Sequence, residues 1–205
     1  MLGLPTETDE DVLGIADLAQ KVYHVWRENT PNRSRGVRIT VSTSCFVPKS
    51  HTPFQWEAQN TQEEYLRKVT LLREHMRNKS ITYNWHDPET SYLEAVLSRG
   101  DRRIADVIEE AWRHGAKFDS WSEYFNLQTW LTAMETCGVS PAFYANRVRE
   151  KDEILPWHVI SDGVKESYLW RERETAYAGK ITPDCKVKCS GCGADKLCKG
   201  GICHG

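Results

Sequence analysis
Little in this sequence belongs to a membrane-spanning or secreted protein. Its N-terminus, MLGLPTETDED, has neither a basic stretch nor an apolar core, so it is not a secretory signal. No run approaches the roughly 18 apolar residues that mark a bilayer-spanning helix. Lysine and arginine number 27 against 29 acids, a net charge of −2, which excludes a global basic field for nucleic acid. A nucleotide P-loop, a Rossmann glycine fingerprint and a Ser-His-Asp signature are all missing. Cysteine is scarce before Cys185: Cys45 and Cys137 stand alone there, and both read as small buried apolar groups. These absences point to a cytoplasmic protein in a reducing compartment, with no membrane partner.

What is present centres on VRITVSTSCFVPKSHTPFQW, residues 37–56. Val37, Ile39 and Val41 alternate with Arg38, Thr40 and Ser42, the period-two pattern of a strand. Pro48 and Pro53 stiffen the loop that follows, which carries Lys49, Ser50, His51 and Thr52. Ligands of open α/β sheets and barrels sit at the C-terminal ends of strands, so this loop is a binding-edge candidate. A surface loop with inward-packed aromatics has the same pattern.

Upstream, Met1 to Pro5 reads as the end of a strand. Thr8 and Asp11 form a capping box, and Val12, Ile15, Ala16, Ala19, Val22 and Trp26 recur at helical spacing. The opening is therefore a βαβ unit, and the later sequence lacks the strands to complete its sheet; the chain reads as a fragment. A second box starts at Thr61. Ile81, Tyr83 and Trp85 alternate as one more short strand, and Asp87-Pro88 starts a helix to Arg99. Further helices are expected over 101–114, 127–136, from Pro141, and over 165–178. Three domains are expected: 1–80, the last strands and helices of a barrel; 81–180, a helical extension; and 181–205, a cysteine-rich tail.

Five of the seven cysteines lie in that tail: Cys185, Cys189, Cys192, Cys198 and Cys203. Two or three residues between thiolates let one turn present both to a single ion, and Gly191 and Gly193 permit the left-handed backbone of a metal knuckle. Four thiolates suit zinc or an iron–sulfur cluster, and spacing does not choose between them. A disordered tail of free thiols is the other reading. His51, His86 and His158 each lie near a proline or a strand end and are lone histidines by spacing.

MLGLPTETDEDVLGIADLA closely resembles a late strand-to-helix segment of radical SAM enzymes, and VSTSCFVPKSHTPFQW resembles the sixth barrel strand and its loop in the cobalamin-binding subgroup. WHDPETSYLEAVLSRGDRRIADVIEEAWRHGAKFDSWSEYF, LPWHVISDGV and TPDCKVKCSGCG follow in order. Together they resemble the C-terminal half of an uncharacterised family of cobalamin-binding radical SAM proteins. The resemblance implies an α/β fold: the C-terminal fragment of a partial (β/α)6 barrel, then a mostly helical region and the cysteine-rich tail. It implies a parent enzyme that cleaves S-adenosylmethionine reductively at a 4Fe–4S cluster, with cobalamin as a further cofactor and an unknown substrate, RNA or protein. The catalytic CxxxCxxC of that parent would precede Met1 in a missing N-terminal half, so the fragment is expected to be inactive alone. The spacing recurs at Cys185, Cys189 and Cys192, but behind a helix, where an accessory site fits better. By the motif match, Gly3, Leu4, Pro5 and Glu7 would line the adenosyl side. Val41, Ser42, Phe46, Pro48, His51, Thr52 and Pro53 would lie near cofactor or substrate. A competing reading is a helical RNA- or protein-binding module with a metal knuckle, because Lys180, Lys186, Lys188, Lys196 and Lys199 surround the thiols.

Overall fold
A computed structural model describes residues 1–194. The described residues separate into two compact units, one of residues 1–47 with 59–94, the other of 48–58 with 95–194.

The first unit begins with Leu2, which makes a single parallel bridge to Cys45. Helix α1 (Asp9–Asn29) follows, started by the Thr8/Asp11 capping box. There the Thr8 side chain accepts from the Asp11 N–H and Asp11 returns the bond. Strand β1 (Ile39–Thr43) pairs in parallel with β2 (Ile81–Trp85), Ile39 opposite Ile81 and Thr43 opposite Trp85. Helix α2 (Gln62–His75), capped by Thr61, connects them. A parallel pair needs such a crossover. Val12, Ala16 and Ala19 of α1 meet Tyr65, Val69, Leu72 and Met76, which come from α2 and its C-terminal cap, in one core with Leu2 and Ile81. Ile39, Val41 and Tyr83 pack against it, so one face of the strand pair is covered, as the alternation requires.

Helix α3 (Pro88–Arg99) starts with Pro88 at its first position and Asp87 accepting from the Glu89 and Thr90 N–H groups. Then come α4 (Ile104–Arg113), α5 (Leu127–Thr136), α6 (Pro141–Ala145) and α7 (Glu166–Tyr177). In the second unit, α4 packs on α5, with Val107, Ala111, Leu127, Ala133 and Met134 buried.

The expected barrel fragment is not there. Among the described residues the sheet consists of two five-residue strands and the bridge at Leu2, and helices make up the rest of the regular structure. The physical reason is that alternation stops at Trp85. Beyond it the apolar positions recur at helical spacing, so no further strand forms to extend or close the sheet.

The helix expected from Asp101 begins at Ile104 instead. Asp101 folds as a turn, because its carboxylate takes the Arg103 guanidinium at 2.7 Å and the Tyr144 hydroxyl at 3.0 Å. The hydrogen bonds from Arg103, first of all, hold the Asp101 carboxyl well below the usual carboxylate range. A carboxyl lowered in the folded state contributes stability above the unfolded value of about 3.9, and that stability is lost as pH falls through the lower folded value. Asp101→Asn is therefore expected to flatten the acid limb of the stability curve below about pH 4. Urea midpoints at pH 3 and pH 6 check it: if the variant loses as much stability between them as the parent, Asp101 is not the group responsible.

Candidate functional site
Three places carry the candidate residues, and each is built differently. The first is the strand-end loop of the first unit. Gly3 has φ +93°, and a Cβ there would sit 2.9 Å from Asn60 Oδ1, so only glycine fits without a shift. The Gly3 N–H donates to Glu7 Oε2 at 2.8 Å. The same oxygen takes Lys68 Nζ at 2.8 Å, and both side chains are only 6% exposed. Lys68 Nζ also donates to Asn60 Oδ1 at 3.1 Å. Glu7 is thus spent on locking the turn 3–7 to α2. Leu4 is exposed and Pro5 half-buried. Val41 is half-buried against the core, Ser42 is exposed and Phe46 is buried. Beside Leu2, Cys45, Phe46, Tyr65 and Tyr92 lies a cavity of about 10 Å³, the room of a single water. Burial pushes the Cys45 thiol up, which keeps it protonated and unreactive.

The second place is the loop 48–58, which belongs to the second unit. Pro48 is fully buried. His51 has φ +56°, rare for a residue with a side chain. Gln55 holds it there: its Oε1 accepts the His51 backbone N–H at 2.9 Å and the Trp157 indole N–H at 2.7 Å. Thr52 donates its hydroxyl to the Lys49 carbonyl at 2.7 Å, and Pro53 is half-buried. Next to this loop, an open cleft of about 330 Å³ is lined by His51, His158, Asp162 and Glu166, with Trp157, Val164 and Leu169 on its apolar side. His51 Nδ1 lies 3.7 Å from Asp162 Oδ2, and His158 Nε2 lies 3.2 Å from Glu166 Oε2. His158 Nδ1 accepts the Leu155 N–H at 3.3 Å, which assigns the ring proton of the neutral imidazole to Nε2. A second cleft of about 380 Å³, walled by Trp56 and Trp170, shares His158 and Glu166 with the first.

The third place is the tail. Cys185 and Cys189 are exposed free thiols and Cys192 is a half-buried one. The segment is tied to α7: the Lys165 N–H donates to the Cys192 carbonyl at 2.8 Å, and the Arg171 guanidinium donates to the Ser190 carbonyl at 2.6 Å. Gly191 and Gly193 have φ +72° and +98°, the left-handed backbone expected of them. Among the described residues, no group of three His, Cys, Asp or Glu side chains is arranged to hold a metal ion. Cys198 and Cys203, with Lys196 and Lys199, lie outside the described residues.

A comparison with curated proteins finds an uncharacterised protein of Methanocaldococcus jannaschii, 24% identical over 109 residues. The match covers 53% of this chain and 22% of that protein, so the chain spans less than a quarter of its relative's length. No protein-family profile and no solved structure matches the chain.

The residues expected at one cofactor or substrate site therefore divide between two units: Gly3, Leu4, Pro5, Glu7, Val41, Ser42 and Phe46 in the first, and Pro48, His51, Thr52 and Pro53 in the second. The histidines judged by spacing to be lone are not alike. His86 is exposed, whereas His51 and His158 share one cleft. Gln55, Asp162 and Glu166 escaped sequence reasoning. The available signal was the pair of acids four and eight positions after His158. None of the described helices is long and apolar enough to cross a membrane.

Proposed function
We propose that the chain is the C-terminal portion of a cytoplasmic radical SAM enzyme of the cobalamin-binding kind, acting on an RNA or protein substrate. The support is the ordered series of motif resemblances, together with one structural observation. Leu2, β1 and β2 run parallel, so the turn 3–7 and the loop after β1 leave the sheet at the same ends of their strands. Binding loops of open parallel sheets occupy those ends. In the parent enzyme a bound 4Fe–4S cluster would supply the electron for reductive cleavage of S-adenosylmethionine. This chain's share is positioning: Gly3 lets the backbone approach closely, the Glu7–Lys68 pair fixes the turn, and Phe46 and Pro48 anchor the loop after β1. The 205 residues alone are inactive on this reading, because their CxxxCxxC stands in the tail. The test is anaerobic reconstitution of the gene product, with its upstream coding sequence, using iron, sulfide, dithionite and S-adenosylmethionine. Formation of 5′-deoxyadenosine is expected. No product, or an upstream sequence with no further CxxxCxxC, overturns the reading.

The tail thiols Cys185, Cys189 and Cys192, with Cys198 and Cys203, are proposed to hold zinc or an iron–sulfur cluster. Their support is the chemistry of the donors and the left-handed glycines between and behind them. Cys189→Ser is expected to abolish metal content and leave the far-ultraviolet circular dichroism of the helices unchanged. Elemental analysis with visible absorption measures it, and unchanged metal content refutes the assignment. Zinc without visible absorption favours the second reading, a structural knuckle for RNA or protein binding, since Lys180, Lys186 and Lys188 are exposed around the thiols.

A further inference from the structure
We propose that the cleft between residues 50–55 and 157–166 is a binding site for a small aliphatic amine, with His51 Nε2 as its hydrogen-bond acceptor.

The two imidazoles in this cleft are prepared differently. Both nitrogens of His158 are engaged, one by the Leu155 N–H and the other by Glu166. His51 faces Asp162 through Nδ1 alone, and its Nε2 has no partner among the described residues. Asp162 is itself fixed, because its other oxygen accepts the Val164 N–H at 2.9 Å. A carboxylate beside Nδ1 favours the tautomer with the proton on Nδ1, which leaves the Nε2 lone pair as an acceptor. At 3.7 Å the Asp162 contact orients the ring without closing a hydrogen bond.

His51 is held at this cleft against its backbone preference. A left-handed backbone is uncommon for a non-glycine residue, and Gln55 sustains it by binding the His51 N–H and the Trp157 indole together.

Charge selects the ligand. The lining residues include two carboxylates, Asp162 and Glu166, and neither lysine nor arginine. Such a cleft repels anions and attracts a cation. An ammonium group donates one N–H to His51 Nε2; Asp162, on the Nδ1 side of the ring, orients it, both carboxylates add negative charge, and Val164, Leu169 and Trp157 provide apolar surface for an aliphatic stem. The inference stands apart from the radical SAM reading, since it rests on this cleft alone.

The experiment is a titration of the isotopically labelled full chain with n-butylamine, read by the imidazole resonances of each histidine. His51 is expected to be in its Nδ1–H tautomer, and its resonances to shift saturably, whereas those of the exposed His24 and His86 stay put. Sodium butyrate and inorganic phosphate are expected to leave His51 unmoved. Asp162→Asn and Glu166→Gln, with circular dichroism unchanged, should each weaken butylamine binding several-fold, because each removes one negative charge from the cleft. A His51 that carries its proton on Nε2 overturns the proposal. So does one that moves no more than His24 and His86, or one that responds equally to butyrate. Undiminished binding in both variants does the same.

Discussion
Replacing Lys68 by methionine is expected to cost the first unit about 3–5 kcal/mol, much of a small domain's total stability. Lys68 and Glu7 are each only 6% exposed and meet at 2.8 Å. Their ion pair is not a large net gain over apolar residues of the same size, because desolvation consumes most of the attraction. The asymmetry decides the outcome. With Lys68 gone, the Glu7 carboxylate stays buried and keeps one backbone donor, the Gly3 N–H. Glu64, the other acid near Lys68 at 3.8 Å, is 38% exposed and returns to water at little cost. The companion variant separates this account from simple packing loss. Glu7→Gln together with Lys68→Met removes both charges, keeps an acceptor for the Gly3 N–H and is expected to recover most of the loss. Urea midpoints of the parent, the single and the double variants make the measurement. A double variant as unstable as the single one would show that shape, not charge, is what position 68 contributes.

The sequence made Glu7 visible and hid its partner. Glu7 and Lys68 lie 61 positions apart, and nothing local announces the pair. The same divide runs through the fold. The Thr8/Asp11 box, the alternation of Ile81, Tyr83 and Trp85, and Pro88 at a helix start were legible because each is set by neighbours within a turn or a strand. How many strands join a sheet is not a local property. Alternation over Ile39–Thr43 says that a strand forms, but does not reveal that β2 is its one full-length partner among the described residues. The barrel follows from the resemblance alone, and the described residues hold two strands and a bridge.

The clefts obey the same rule. His51 and His158 each stand near a proline in the sequence, but their common cleft depends on Gln55 reaching Trp157 across 102 positions. Glu57 looks like an ordinary loop acid, yet it is buried by Arg173 and by Tyr177, whose hydroxyl donates at 2.9 Å from 120 positions away. A short proline-braced loop could be predicted to matter, but not what it would meet.

What that loop chiefly supplies to the second unit is Trp56, and its removal is the other large effect. Trp56 is fully buried in a cluster with Leu155, Trp157 and Leu169, edge-to-face with Trp170 at 5.0 Å between ring centres. Trp56→Ala is expected to cost about 3–5 kcal/mol, lost transfer energy plus the cavity left behind. The indole N–H is buried and has no partner among the described residues. A buried donor without an acceptor costs about 1–3 kcal/mol. Trp56→Phe keeps most of the apolar contact and removes that donor. The two terms oppose each other, and the phenylalanine variant is expected to lie within about 1 kcal/mol of the parent. Denaturant unfolding of both variants, followed by the fluorescence of the remaining tryptophans, decides the point. If phenylalanine loses as much as alanine, the Trp56 N–H makes a bond that the second unit needs, and the cluster is not held by apolar packing alone.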